Sequence, residues 1–298
     1  MSASQRRSSP IASVASTTSP PTSWHPSALR DAARDGLPHR RAHEARAPRR
    51  PSRSRSHRSQ RLSLGEYSRA FARCLFAVPG LGEAMNIAII GAGNVGGALA
   101  KSSVRAGHKV TLSAKDPAHA EAKAKETGAR AVHSASDAVK AADVVILAVP
   151  YTAVDAVLDE LGDALAGKVL IDVTNRMKRD AMAESVDGSS AAEQIQKKAP
   201  KAKVAKAFNY AFASKQADPK VDGQSIDGYV ASDDADAKKT TLELARSIGF
   251  RPIDAGPLAM ARALEAMAIL NIALQIQNGW PWQSGFKLIG PTPDKKAS

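Results

Sequence analysis

The sequence predicts an α/β fold: a Rossmann-type doubly wound, mostly parallel sheet with a C-terminal strand–helix extension. Three observations predict it. From Met85 onward, strand-length apolar runs alternate with helix-length segments. The first run, residues 87–90, leads straight into Gly91-Ala92-Gly93-Asn94-Val95-Gly96. The run over 143–149 is the most hydrophobic, as a central strand covered on both faces must be.

The elements follow in order. After the first strand, a helix carrying Val95, Leu99 and Val104 ends at Gly107. A second strand spans 110–113. Asp116-Pro117 reads as the cap and first-turn proline of a helix stopped by Gly128. A short third strand covers 131–133, and the central strand follows. Beyond Pro150, the residues Val154, Val157, Leu158 and Leu161 share one helical face. Strands are expected over 169–173, 204–208, 228–232 and 251–254. Helices are expected over 235–248 and from about residue 258 to 277.

The formal charge of +13 suggests a nucleic-acid or membrane-surface partner until it is located. Residues 1–84 hold 15 arginines, no lysine and five acids, a net +10; residues 85–298 carry only +3. The first part is Ser-, Arg- and Pro-rich, too polar to offset its ordering entropy, and is expected to be disordered. A short amphipathic helix over 62–79 is its one candidate element. A transit peptide would share this composition. The favoured expectation is that this segment lies upstream of a native start at Met85. No nucleic acid is expected for residues 85–298, which are expected to form one unit with a C-terminal extension. No apolar run is read as a membrane span. The single cysteine, Cys74, excludes a disulfide framework.

Glycines gather in many turns, so their spacing alone is weak. Here they follow a buried strand and open a helix, the context a dinucleotide cradle requires. Gly91 permits the tight turn, Gly93 lets backbone approach a pyrophosphate, and Gly96 allows close packing of helix on strand. The helix N-terminus offers free N–H groups and partial positive charge. At the end of the second strand an acid would bind the ribose 2′-hydroxyl of NAD. Ser113 stands there, with Lys115 two residues on, which suits a 2′-phosphate and predicts NADP(H). Asp116 is assigned to capping.

Acid–base chemistry is sparse. The histidines His108, His119 and His133 form no dyad with Ser or Asp and are read as structural or solvated. No GxSxG elbow, HExxH pair or metal-ligand cluster occurs, so no metal and no catalytic side chain is expected. Hydroxyacid dehydrogenases on this scaffold place a lysine or histidine beside the nicotinamide. The long C-terminal helix here reads Leu264-Glu265-Ala266-Met267-Ala268-Ile269-Leu270-Asn271, without lysine. Direct hydride passage between two cofactor rings needs no such residue, only stacking and water exclusion.

Several stretches together resemble the NADPH-dependent reductases of the deazaflavin coenzyme F-420, a family also similar to the cytosolic domain of transmembrane metalloreductases. They are residues 89–96, Ala148-Val149-Pro150, Asp172-Val173-Thr174-Asn175 and Lys206-Ala207-Phe208-Asn209. A further block runs over 244–250 and continues with Pro252, Asp254, Gly256, Leu258, Ala261-Arg262 and Leu264-Glu265. The resemblance implies that Gly91, Gly93, Asn94, Val95 and Gly96 hold the pyrophosphate, with Ser113 and Lys115 near the 2′-phosphate. It implies that Ala148, Val149 and Pro150 line the nicotinamide ribose, and that Asn175 and Asn209 orient the carboxamide or the partner ring. Turn chemistry would equally explain both asparagines. Arg262 is placed near the second cofactor, although an i, i+3 pair with Glu265 would also account for it. Trp280, Trp282 and Phe286 would wall the second pocket or a dimer interface. Arg176, Lys178, Arg179, Lys206 and Lys215 are candidates to meet the acidic tail of F-420.

The leading expectation is thus a cytoplasmic, homodimeric oxidoreductase passing hydride between NADP(H) and coenzyme F-420 or a flavin. The alternatives are an NADPH-dependent reductase of a small imine or carbonyl compound and a non-catalytic NADP(H) sensor.

Overall fold

The computed structural model describes residues 83–177 and 188–290. The Arg-rich segment up to residue 82, with its expected helix over 62–79, lies outside the described residues, as do Lys178 and Arg179.

Strand β1 (Asn86–Ile90), helix α1 (Asn94–Arg105), β2 (Lys109–Ser113), α2 (Pro117–Thr127) and β3 (Arg130–Ala131) form the first half. Helix α3 (Ala135–Lys140), β4 (Val144–Leu147), α4 (Val154–Leu161), β5 (Val169–Asp172), α5 (Ala191–Lys198) and β6 (Lys203–Ala207) form the second. The extension comprises α6 (Ala213–Ala217), the two-residue strands β7 (Lys220–Val221) and β8 (Gln224–Ser225), β9 (Asp227–Ser232), α7 (Ala235–Ser247), β10 (Arg251–Gly256) and α8 (Ala261–Asn278).

The main sheet runs β10-β9-β6-β5-β4-β1-β2-β3. Every pairing is parallel except β6 with β9, so the fold is a Rossmann-type, mostly parallel sheet. Because β2 and β4 flank β1 on opposite sides, a crevice opens beyond the carboxyl ends of β1 and β4.

Strand alternation divides the core between the two faces. Ile87 and Ile89 pack with Leu99 and Leu112, while Ala88 and Ile90 pack with Val145, Leu147 and Leu158. Each buried Ile or Leu contributes about 1.5–3 kcal/mol. The helix boundaries have local causes. Asp116 accepts the Ala118 N–H at 3.0 Å ahead of Pro117, and Gly128 closes α2 at φ 78°. Ser134 and Asp234 cap α3 and α7, and Ser190 with Glu193 forms a capping box on α5.

Three points differ from the sequence expectations. Strand β3 ends at Ala131 because Ser134 already caps α3, which leaves His133 exposed in the connection. Helices α3, α5 and α6 were not foreseen. Finally, Leu258–Asn278 is long and apolar enough to cross a membrane, a run the sequence reading did not identify. In this fold its Leu264 and Ala268 enter the core, while Leu270 and Ile276 stay exposed.

Candidate functional site

At the carboxyl end of β1 the chain makes a turn only glycine permits. Gly91 has φ 111°, and a Cβ there would lie 2.3 Å from the Ala148 carbonyl oxygen. A Cβ on Gly96 would meet the Gly91 oxygen at 1.8 Å. Gly93 is different: it is the N-cap of α1 at an ordinary φ of −71°, with nothing within 4 Å of a Cβ. No side chain caps α1, so its first-turn N–H donors are left for a ligand. Asn94 is exposed and Val95 half-buried beside this open space. An uncapped helix start under a cradle that one methyl group would fill fits a pyrophosphate.

The Gly91 N–H donates to the Ser113 carbonyl at 2.7 Å, which binds this loop to the end of β2. Ser113 itself is buried, whereas Lys115 is exposed. His119, in the first turn of α2, reaches back with Nε2 3.0 Å from the Ala92 carbonyl oxygen. At the end of β4 the Ala148 N–H donates to Ile90 at 2.8 Å; Val149 is half-buried and Pro150 exposed. The Tyr151 hydroxyl, pushed up by burial, donates to Gln194.

The ends of β5 and β6 are locked together. Asn209 Nδ2 donates to Asn175 Oδ1 and to the Leu264 carbonyl, both at 2.9 Å, and Asn175 Nδ2 donates to the Asn209 carbonyl at 3.0 Å. Asn209 Oδ1 and Thr174 Oγ1 are buried without a hydrogen-bond partner. Phe208, which precedes Asn209, is buried at φ 62°, a strained setting for a bulky residue. The Gln216 amide holds its carbonyl at 2.9 Å.

Beneath this pair lies a buried ion cluster. Lys206 Nζ donates to Asp172 Oδ2 and Glu265 Oε1, each at 2.8 Å, and to the Thr174 carbonyl at 2.5 Å. Glu265 also accepts the Ala191 N–H at 2.8 Å and the Arg176 N–H at 3.4 Å. Lys206 is therefore not a surface cation awaiting an acidic tail. Nor does Glu265 pair with Arg262, whose guanidinium instead grips Glu193 at 2.6 and 2.9 Å. Arg176 donates to the Ser189 carbonyl, and Lys215 to that of Lys220 at 2.7 Å. The ion cluster was missed, although Lys206 and Asp172 each stand alone in an apolar run. That is the available signal of a buried pair.

The aromatic tail turns toward the loop after β6. Trp282 meets Phe212 at a centroid distance of 5.2 Å and Phe286 meets Tyr210 at 6.2 Å, while Trp280 is half-exposed. His108, lowered by burial, accepts the Met85 N–H at Nδ1 and bonds Ser247 at 2.8 Å, a structural role. Among the described residues no group of three His, Cys, Asp or Glu is placed to hold a metal.

The chain is similar to several known proteins. The family model for NADP oxidoreductase coenzyme F420-dependent matches residues 86–176. The F420-dependent NADP reductase of Methanothermobacter marburgensis is 35% identical over 212 residues, covering 65% of this chain and 94% of that protein. The metalloreductase STEAP3 of Rattus norvegicus is 31% identical over 188 residues, but the chain spans only 37% of its length. A solved structure from Arthrobacter sp. FB24, described as a candidate F420-dependent NADP reductase, superposes with a TM-score of 0.63. It is 29% identical and covers 69% of this chain and 100% of its own.

Proposed function

Because this chain belongs to the coenzyme F420-dependent NADP oxidoreductase family, we propose that it passes hydride between NADP(H) and coenzyme F-420 or a flavin. The observation that carries this reading is the two-sided crevice. The open, uncapped glycine cradle lies at one side of the strand-order reversal, and the Asn175–Asn209 pair at the other.

The nicotinamide, when bound, supplies the hydride; solvent supplies the accompanying proton. Gly91, Gly93, Asn94, Val95 and Gly96 cradle the pyrophosphate, and Lys115 meets the 2′-phosphate beside Ser113. Ala148, Val149 and Pro150 line the nicotinamide ribose. Asn175 and Asn209, locked to each other at the ends of β5 and β6, orient the carboxamide or the partner ring. The chain's task is to hold two rings ~3–3.5 Å apart and keep bulk water from between their faces. Lys206 holds Asp172 and Glu265 together beneath the Asn175–Asn209 pair. Arg262, tied to Glu193, serves the second pocket through the start of α5. Residues 85–298 are taken as the working unit, and the homodimer remains part of this reading.

The test is steady-state absorbance at the deazaflavin and flavin bands with NADPH supplied. Acceptor bleaching is the expected result. NADPH binding without turnover of either acceptor overturns the reading and returns weight to a small imine or carbonyl substrate.

A further inference from the structure

The buried ion cluster at the ends of β5 and β6 holds more negative than positive charge, and the reading above gives the surplus no task. Lys206 Nζ spends its three protons on Asp172, Glu265 and the Thr174 carbonyl. Both Asp172 oxygens accept, Oδ2 from Lys206 and Oδ1 from the Thr174 N–H at 2.8 Å. Glu265 accepts at Oε1 from Lys206 and from the Ala191 N–H that opens α5, and at Oε2 from the Arg176 N–H. Every carboxylate oxygen accepts a donor, so one ammonium stands between two carboxylates and a negative charge is left unbalanced. All three side chains are buried, where solvent screens them little. Neutralising Lys206 requires only one carboxylate, and a second buried charge costs desolvation.

The cluster adjoins the segment assigned to the nicotinamide. Asp172 pairs across the sheet with Leu147, the last residue of β4, and on its other side with Lys206. Ala148, Val149 and Pro150 follow Leu147 directly. Asn175 follows Thr174, and Asn209 donates to the Leu264 carbonyl beside Glu265. The field extends past Pro150: the Tyr151 hydroxyl is raised first by burial, lowered by Arg176, and raised again by Asp155, Glu265 and Asp172. Arg176 opposes the surplus, but it is half-buried with its guanidinium on the Ser189 carbonyl. Arg262 is held by Glu193. We propose that the surplus charge of the Asp172–Lys206–Glu265 cluster selects the redox state of the dinucleotide, favouring the cationic ring of NADP⁺ over the neutral ring of NADPH. The inference rests on the dinucleotide reading above. A fixed anion one strand away attracts the charged ring and leaves the neutral one almost untouched. The phosphates and riboses are common to both forms, so their contacts cancel from the comparison. Asp172 and Glu265 thereby bias hydride transfer without touching the rings.

The experiment is calorimetric titration of the full chain with NADP⁺, with NADPH, and with 2′-phospho-ADP-ribose, which lacks the ring. Glu265→Gln keeps an acceptor for Lys206 and loses the charge. It should weaken NADP⁺ about fivefold relative to NADPH and leave 2′-phospho-ADP-ribose unchanged. Asp172→Asn should shift the ratio the same way. Arg176→Gln removes the opposing cation and should shift it the other way; lying outside the buried triad, it keeps the test open where a buried variant fails to fold. Equal losses for NADP⁺ and NADPH in the carboxamide variants, a shift toward NADP⁺ in them, or an unchanged ratio in Arg176→Gln overturns the proposal while leaving the dinucleotide reading in place. Failure of the wild-type chain to bind either nucleotide overturns both.

Discussion

Gly93, the N-cap of α1, and Gly96, in its first turn, stand three residues apart and make opposite demands. A methyl at Gly96 collides with the Gly91 oxygen, so Gly96→Ala should cost about 1–3 kcal/mol, read as a lowered Tm. A methyl at Gly93 enters open space, so Gly93→Ala should leave Tm nearly unchanged while NADPH affinity drops at least about tenfold. Equal losses of stability in the two variants would contradict the cradle. Lys206→Met strands Asp172 and Glu265 without their shared cation, and should cost about 3–5 kcal/mol in urea unfolding. The glycines were legible in sequence because a turn, a close approach and a packed helix impose fixed spacing. The partners of Lys206, Glu265 and Arg262 were not. They come from separate elements, and local spacing suggested the wrong i, i+3 pair.

Helix α5 shows what short elements conceal. Its eight residues hold one large apolar side chain, Ile195, too little periodicity to read. Its start is nevertheless firmly built. Glu193 accepts from Ser190 and from Arg262 of α8, and its carboxyl falls to about 2, chiefly through the Arg262 hydrogen bond. A folded value below the ordinary one means stabilisation that is complete above about pH 4.5 and lost as pH falls toward 2. Glu193→Gln should cost about 1 kcal/mol at neutral pH and flatten that stretch of the acid-unfolding curve. His108, which joins the start of β1 to the end of α7, titrates elsewhere. Burial favours its neutral form, so the stability it lends is present above about pH 6.5 and declines below it. Replacement by Gln should remove that decline from a Tm-versus-pH series.

Across the whole molecule, the strands from β1 to β6 pair in parallel, as the alternation of strand and helix predicted, while their order in the sheet came only with the structure. The reversal of β9 was not. Its direction depends on the path through α6 and the β7–β8 hairpin, whose two-residue strands carry no period. That reversal puts β10 at one margin of the sheet, with β3 at the other. Both margins are poor templates for another strand. β3 has only two residues, and β10 carries Pro252, which offers no N–H to a newcomer. Pro252→Val should raise light scattering during mild heating while barely altering NADPH affinity. Two copies of this chain therefore gain little by continuing one sheet into the next. Leu270 and Ile276 of α8, by contrast, are exposed apolar side chains on a helical surface.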